Sequence, residues 1–251
     1  MSSVRSAVAL LTRLRVATAA TDTPGAAAFG LVGAGVGAVG AIPLAVVAGP
    51  LGEPWIGAVA AVAAMAVVTG ALHLDGLADT ADAVMARDAE AAERARKDPH
   101  VGTGGVVALI LVIAAGIVAL SSLATPLTAD AIRGGFVLVA VASASRVAPV
   151  LVTLTLGRFR PAASTKLGGW FADRVTRSDA IVATASAALI ALALGLIGGP
   201  VIPIAAIGTL LAGCVAGAII VALRGGLDGD GMGALIELAV VSGLIIAALV
   251  T

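Results

Sequence analysis

Apolar runs separated by short polar connections recur along this 251-residue chain. They fall at about Ala27–Ala48, Pro54–Leu72, Gly104–Ala124, Arg133–Leu156, Ala180–Gly198, Val201–Leu223 and Gly233–Val250. A helix needs roughly 20 mainly apolar residues to cross a bilayer core. The pattern therefore predicts an all-α integral membrane protein, a bundle of about seven transmembrane helices forming a single polytopic domain over 1–251. Gly35-Val36-Gly37-Ala38-Val39-Gly40 matches G-x-G-x-x-G, but no strand precedes it, as a dinucleotide site would require. Gly33 and Gly37 instead give the small-xxx-small spacing of a helix-packing face. Ser178 and Asp179 read as start signals for the fifth span, and Gly198-Gly199-Pro200 as a tight hairpin before the sixth. The N-terminal segment, 1–24, has a short apolar core, Val8-Ala9-Leu10-Leu11, among Arg5, Arg13 and Arg15. That favours an amphipathic helix on the membrane face over a signal peptide.

Composition supports the class. Hydrophobic residues make up 60% of the chain and charged residues 12%, against roughly 25% charged in soluble domains. Net charge is zero, so bulk nucleic-acid binding is not expected. The single Cys214 excludes an intrachain disulfide. Thirteen of the fifteen Lys and Arg residues fall in connections on one side of the predicted bundle, Arg133 falls on the other, and Arg146 lies inside a span. The positive-inside rule makes the richer side cytoplasmic. The N-terminal segment, the connection after the second span, the Arg158–Arg177 connection and the Arg224–Met232 connection then share that face as cytoplasmic active-site loops.

The chemistry concentrates at 70–105, which holds both histidines and seven of the fifteen acidic residues. Asp75, Asp79 and Asp82 are spaced i, i+4, i+7, which on a helix places three carboxylates on one face. The repulsion is relieved by a hard cation such as Mg²⁺, which binds through one or two carboxylates plus substrate phosphates. A solvated acidic face is the plainer alternative. Arg146 should face the bundle interior and meet a partner, for which Glu237 is the candidate. Either an ion pair or a phosphate contact would satisfy it. Arg158-Phe159-Arg160-Pro161 through Lys166-Leu167-Gly168-Gly169-Trp170 suits a loop closing over an anion, or simple positive-inside anchoring. Gly225-Gly226-Leu227-Asp228-Gly229-Asp230-Gly231 reads as a flexible acidic loop and does not fit an EF-hand.

The stretch Gly70-Ala71-Leu72-His73-Leu74-Asp75-Gly76-Leu77-Ala78-Asp79-Thr80-Ala81-Asp82 resembles the signature of the cobalamin synthase family, the adenosylcobinamide-GDP ribazoletransferases. Lys97-Asp98 and Gly102-Thr103-Gly104-Gly105 continue the likeness, as do Leu11-Thr12-Arg13-Leu14, Arg146, Gly229-Asp230, Gly233-Ala234 and Glu237. Arg96, Pro99-His100, Gly104 and Asp228 depart from the usual pattern. The resemblance implies that adenosylcobinamide-GDP is joined to α-ribazole or its 5′-phosphate, with release of GMP, in a prokaryotic inner membrane and with Mg²⁺ required. It implies metal ligation by Asp75, Asp79 and Asp82. One of these carboxylates, with Asp82 preferred, would accept the hydroxyl proton, and Asp79 and Lys97 would share the catalytic site. His73, Asp98, Arg146, Arg160, Lys166, Asp230 and Glu237 would bind substrate, with Lys97 and the Arg158–Lys166 group on phosphate oxygens. The remaining partner is the lipid bilayer, and a homo-oligomer is possible. A CDP-alcohol phosphotransferase signature runs D-G-x-x-A-R, whereas Asp75-Gly76-Leu77-Ala78-Asp79 has no D-x-x-D lead-in and no arginine at the needed place. A transporter would place ionisable groups at the midplane, where only Arg146 approaches.

Overall fold

The computed structural model describes residues 2–16, 23–88, 90, 100–124, 128–157 and 166–251, and all regular structure among them is helical. In order these are α1 (Ser2–Leu11), a 3₁₀ turn (Ala26–Ala28), α2 (Phe29–Ala48), α3 (Pro54–Thr69), α4 (Leu72–Met85), α5 (Thr103–Leu123), α6 (Thr128–Val152, continued by a π-helical turn at Thr153–Gly157), α7 (Lys166–Arg174), α8 (Arg177–Gly198), α9 (Val201–Arg224) and α10 (Gly229–Leu249). Six of the helices are long and apolar enough to cross a membrane. The bent pair α3 and α4 makes a seventh candidate. The outer surface is oily as lipid contact requires, with Leu189, Leu196 and Ile197 of α8 and Ile207 and Leu211 of α9 all well exposed. The chain is a multi-pass membrane protein.

α6 is the central helix, its apolar window 83% buried against 22–50% for the other five spanning helices. α2 packs closely on it through the predicted small-residue face. A Cβ added at Gly37 would come 2.7 Å from the Val139 Cα, and one at Gly33 would strike the Ala142 carbonyl. Without a hydrophobic force between helices in lipid, such backbone approach is a main source of association. Ser143 Oγ adds a buried hydrogen bond across the pair, donating to the Gly30 carbonyl at 2.7 Å.

α3 is only 16 residues, roughly 24 Å at 1.5 Å per residue. It ends at Gly70 and Ala71, both in the left-handed region at φ 63° and 55°. The chain turns through 91° there, so α4 does not prolong the span but packs across the first turns of α5 and α10. The second span thus stops at Thr69, short of the expected Leu72. Three other boundaries differ from the expectations. α6 starts at Thr128 rather than Arg133. α8 starts at Arg177, because Thr176 is its N-cap and closes a capping box with Asp179; Ser178 is inside the helix. α10 starts at Gly229 rather than Gly233, because the Asp228 side chain accepts the Gly231 N–H and caps it. The expected acidic loop is therefore mostly the first turn of a helix. α1 is amphipathic as expected, but Ala7 and Leu11 are buried against the bundle itself.

Candidate functional site

The polar end of the bundle is where the starts of α5 and α10, the end of α9, and α1, α4 and α7 come together. The Arg13 N–H donates to the Val68 carbonyl at 2.9 Å, tying the chain after α1 to the end of α3. Phe171 of α7 packs on Phe29 of α2, ring centroids 5.7 Å apart. The connection from α9 to α10 is held by Arg224, which grips Asp228 through two hydrogen bonds of 2.9 and 2.7 Å and donates to Thr80 Oγ1 of α4 at 3.1 Å. Asp228 is 1% exposed. Sequence reading gave neither Arg224 nor Asp228 a role, although their i, i+4 spacing was a usable signal.

α4 is helical across the acidic motif, so Asp75, Asp79 and Asp82 do share a face. Glycine sets how closely that helix meets α10. A Cβ at Gly76 would lie 2.7 Å from the Asp230 carbonyl oxygen, and one at Gly233 would lie 3.2 Å from the His73 Cα. This approach brings Asp230 to the aspartates of α4. Burial raises the Asp79 carboxyl above the ordinary carboxylate range, and the charges of Asp230, Asp75 and Asp82 add to the rise in that order, while Arg224 pulls it down. Asp75 and Asp230 both line a cavity of about 110 Å³ together with His73.

The expected trio is divided. Asp82 accepts the backbone N–H groups of Gly102 at 2.7 Å and Gly105 at 2.8 Å, so its carboxylate serves the exposed donors at the start of α5. Asp75 and Asp79 stay on the α10 side. Among the described residues no group of three or more His, Cys, Asp or Glu side chains is placed to hold a metal ion. Asp75, Asp79 and Asp230 are hard oxygen donors of the chemical kind Mg²⁺ takes, and one or two carboxylates with substrate phosphates are its usual ligands.

Arg146 and Glu237 lie deeper, lining one cavity of about 50 Å³. Arg146 is 1% exposed. Its Nη1 donates to Ser145 Oγ at 3.0 Å and to the Ala142 carbonyl at 3.4 Å, and its Nε has no hydrogen-bond partner. No direct Arg146–Glu237 ion pair within 4 Å occurs among the described residues; the acid instead lies 3.8 Å from His73 Nδ1. Of the other expected substrate contacts, Lys97, Asp98 and Arg160 lie outside the described residues, as does Arg158, and of Lys166 only its place at the start of α7 is described.

Fold and site together define a multi-pass membrane protein that gathers Asp75, Asp79 and Asp230 at one end of its bundle. Residues 3–248 match the family described as cobalamin-5-phosphate synthase, CobS. The chain belongs to that family, and is thereby a transferase of cobalamin synthesis. It is 34% identical to the adenosylcobinamide-GDP ribazoletransferase of Shigella flexneri over 84% of this chain and 81% of that one. The enzyme of the same name from Escherichia coli O139:H28 is similar to the same extent. That of Thiobacillus denitrificans is 48% identical over 39% of each chain. No solved structure matches.

Proposed function

We propose that this protein transfers the cobinamide phosphoryl group of adenosylcobinamide-GDP to a ribose hydroxyl of α-ribazole or its 5′-phosphate. The attacking oxygen forms a bond to the phosphorus that bears cobinamide. The bond from that phosphorus to the bridging oxygen breaks, GMP leaves with the oxygen, and the hydroxyl proton passes to a carboxylate. Adenosylcobalamin or its 5′-phosphate is the other product. The observation that carries the reading is the gathering of Asp75, Asp79 and Asp230 by the Gly76 contact, in a chain whose relatives bear the name of this reaction.

Asp75 and Asp230 would hold Mg²⁺, which when bound supplies neutralisation of charge on the diphosphate. Asp79 takes the hydroxyl proton. Its raised proton affinity suits that role, whereas both oxygens of Asp82 already accept backbone amides. Lys97, Arg160 and Lys166 would hold phosphate oxygens, and Asp98 would bind substrate. Most of the acceleration comes from positioning and charge stabilisation. The active end faces the cytoplasm of a prokaryotic cell, at the inner membrane, by the Lys and Arg asymmetry.

The test is GMP release from adenosylcobinamide-GDP by purified Asp75→Asn, Asp79→Asn and Asp230→Asn across a Mg²⁺ titration. Each should lose roughly 10²-fold or more in rate. The Asp75 and Asp230 variants should need more Mg²⁺, and the Asp79 variant should stay slow at saturating Mg²⁺. Near-normal rates in all three would overturn the reading.

A further inference from the structure

The cavity of about 110 Å³ beside Asp75 has two unlike ends. One is polar, formed by Asp75, Asp230 and His73. The other is walled by Leu11 of α1, Phe29 of α2, Leu167 and Phe171 of α7, and Ile236 of α10. His73 is 3% exposed, and its Nδ1 lies 3.8 Å from Glu237 Oε1. The lining comes from six helices, α1, α2, α4, α6, α7 and α10, and the Phe29–Phe171 contact holds α7 against it.

We infer that this cavity is the acceptor subsite, taking the flat apolar ring of the acceptor nucleoside while the ribose lies at the Asp75–Asp230 end. The inference rests on the reaction proposed above and adds where the acceptor sits and which side chains select it. Size and polarity choose between the two substrates. A corrin ring is many times larger than this space. Guanine would leave its polar edge unpaired against apolar walls, which is costly. A benzimidazole ring has no such edge to satisfy, and its sugar would emerge where the carboxylates stand. Apolar walls with a few convergent polar groups are the usual form of a small-molecule site.

The experiment uses the full chain in detergent. Binding of α-ribazole and of free benzimidazole is measured by equilibrium dialysis, and the KM of each substrate is taken from GMP release. Leu11→Phe narrows the apolar end. It should weaken binding of both probes, and raise the acceptor KM, by roughly 10-fold or more, the scale of a methylene-sized misfit in an apolar pocket; the donor KM should stay within about 2-fold. Leu167→Ala changes a side chain already 46% exposed, so it tests the site even if Leu11→Phe fails to fold. It should widen the pocket and improve the acceptor KM for ribazoles with bulkier bases relative to α-ribazole. A folded Leu11→Phe that binds α-ribazole like wild type, or that raises the donor KM instead, overturns the subsite. α-Ribazole bound by wild type and lost in Leu11→Phe, with no GMP released by wild type, would keep the subsite and overturn the reaction.

Discussion

Asp82 on α4 and Gly102 at the start of α5 are joined by a 2.7 Å hydrogen bond from the glycine N–H to the carboxylate, and the other carboxylate oxygen takes the Gly105 N–H. One residue of the acidic face is thus an interhelical cap. Asp82→Ala should cost about 1–3 kcal/mol, the range for a lost N-cap and for hydrogen bonds to a charged acceptor. Asp75→Asn should cost little, since Asp75 is exposed. Thermal melting of the two variants side by side checks this; equal melting temperatures would mean that the cap contributes nothing.

The Arg224–Asp228 pair fixes the entry to α10 and hence Asp230. Its side chains are 8% and 2% exposed. Removing one partner of a buried pair leaves an uncompensated charge and costs about 3–5 kcal/mol. Arg224→Met should therefore melt early. Adding Asp228→Asn should recover much of the loss, because asparagine keeps an oxygen for the Gly231 N–H. A double variant no more stable than the single would refute the coupling.

Arg146 and Glu237 share a cavity inside the bundle rather than an ion pair in contact. Each still balances the other's charge. Arg146→Met and Glu237→Met should each destabilise by about 3–5 kcal/mol, and the double variant should regain stability. Singles that melt normally and fail only in GMP release would point instead to a substrate contact for Arg146.

The Asp79 carboxyl has its proton affinity raised in the folded protein, first by burial and then by Asp230 and Asp75. The unfolded chain therefore binds fewer protons than the folded one between the ordinary carboxylate range and the raised value. Stability falls as pH rises through that window. Metal-free protein should show this decline, and Asp79→Asn should flatten it. Melting curves taken against pH without divalent cations measure the slope. A wild-type slope that the variant leaves unchanged would assign it to other groups.

Reporter fusions test the orientation. Those at Pro50 and Thr128 should read external, and those at Ala89 and Ala163 cytoplasmic. An external signal at Ala163 would place the carboxylates on the wrong side for a cytoplasmic substrate.

The sequence by itself located six long apolar helices, because the energetics of crossing lipid depend on residues consecutive in the chain; the second of the seven expected spans is the short α3, which reaches that length only as a bent pair with α4. It also determined that Asp75, Asp79 and Asp82 share a helix face, since periodicity is local. It marked Gly33 and Gly37 as a packing face. The tertiary structure decided what those carboxylates do. Asp82 is drawn to Gly102 and Gly105, twenty and twenty-three residues on. Asp230 is brought beside Asp79 by the absence of a side chain at Gly76. The left-handed pair Gly70 and Ala71 turns α4 across the end of the bundle, where an uninterrupted reading would have run it on from the span. These outcomes depend on backbone approach between helices distant in sequence, and no local pattern of apolar and polar residues carries that information.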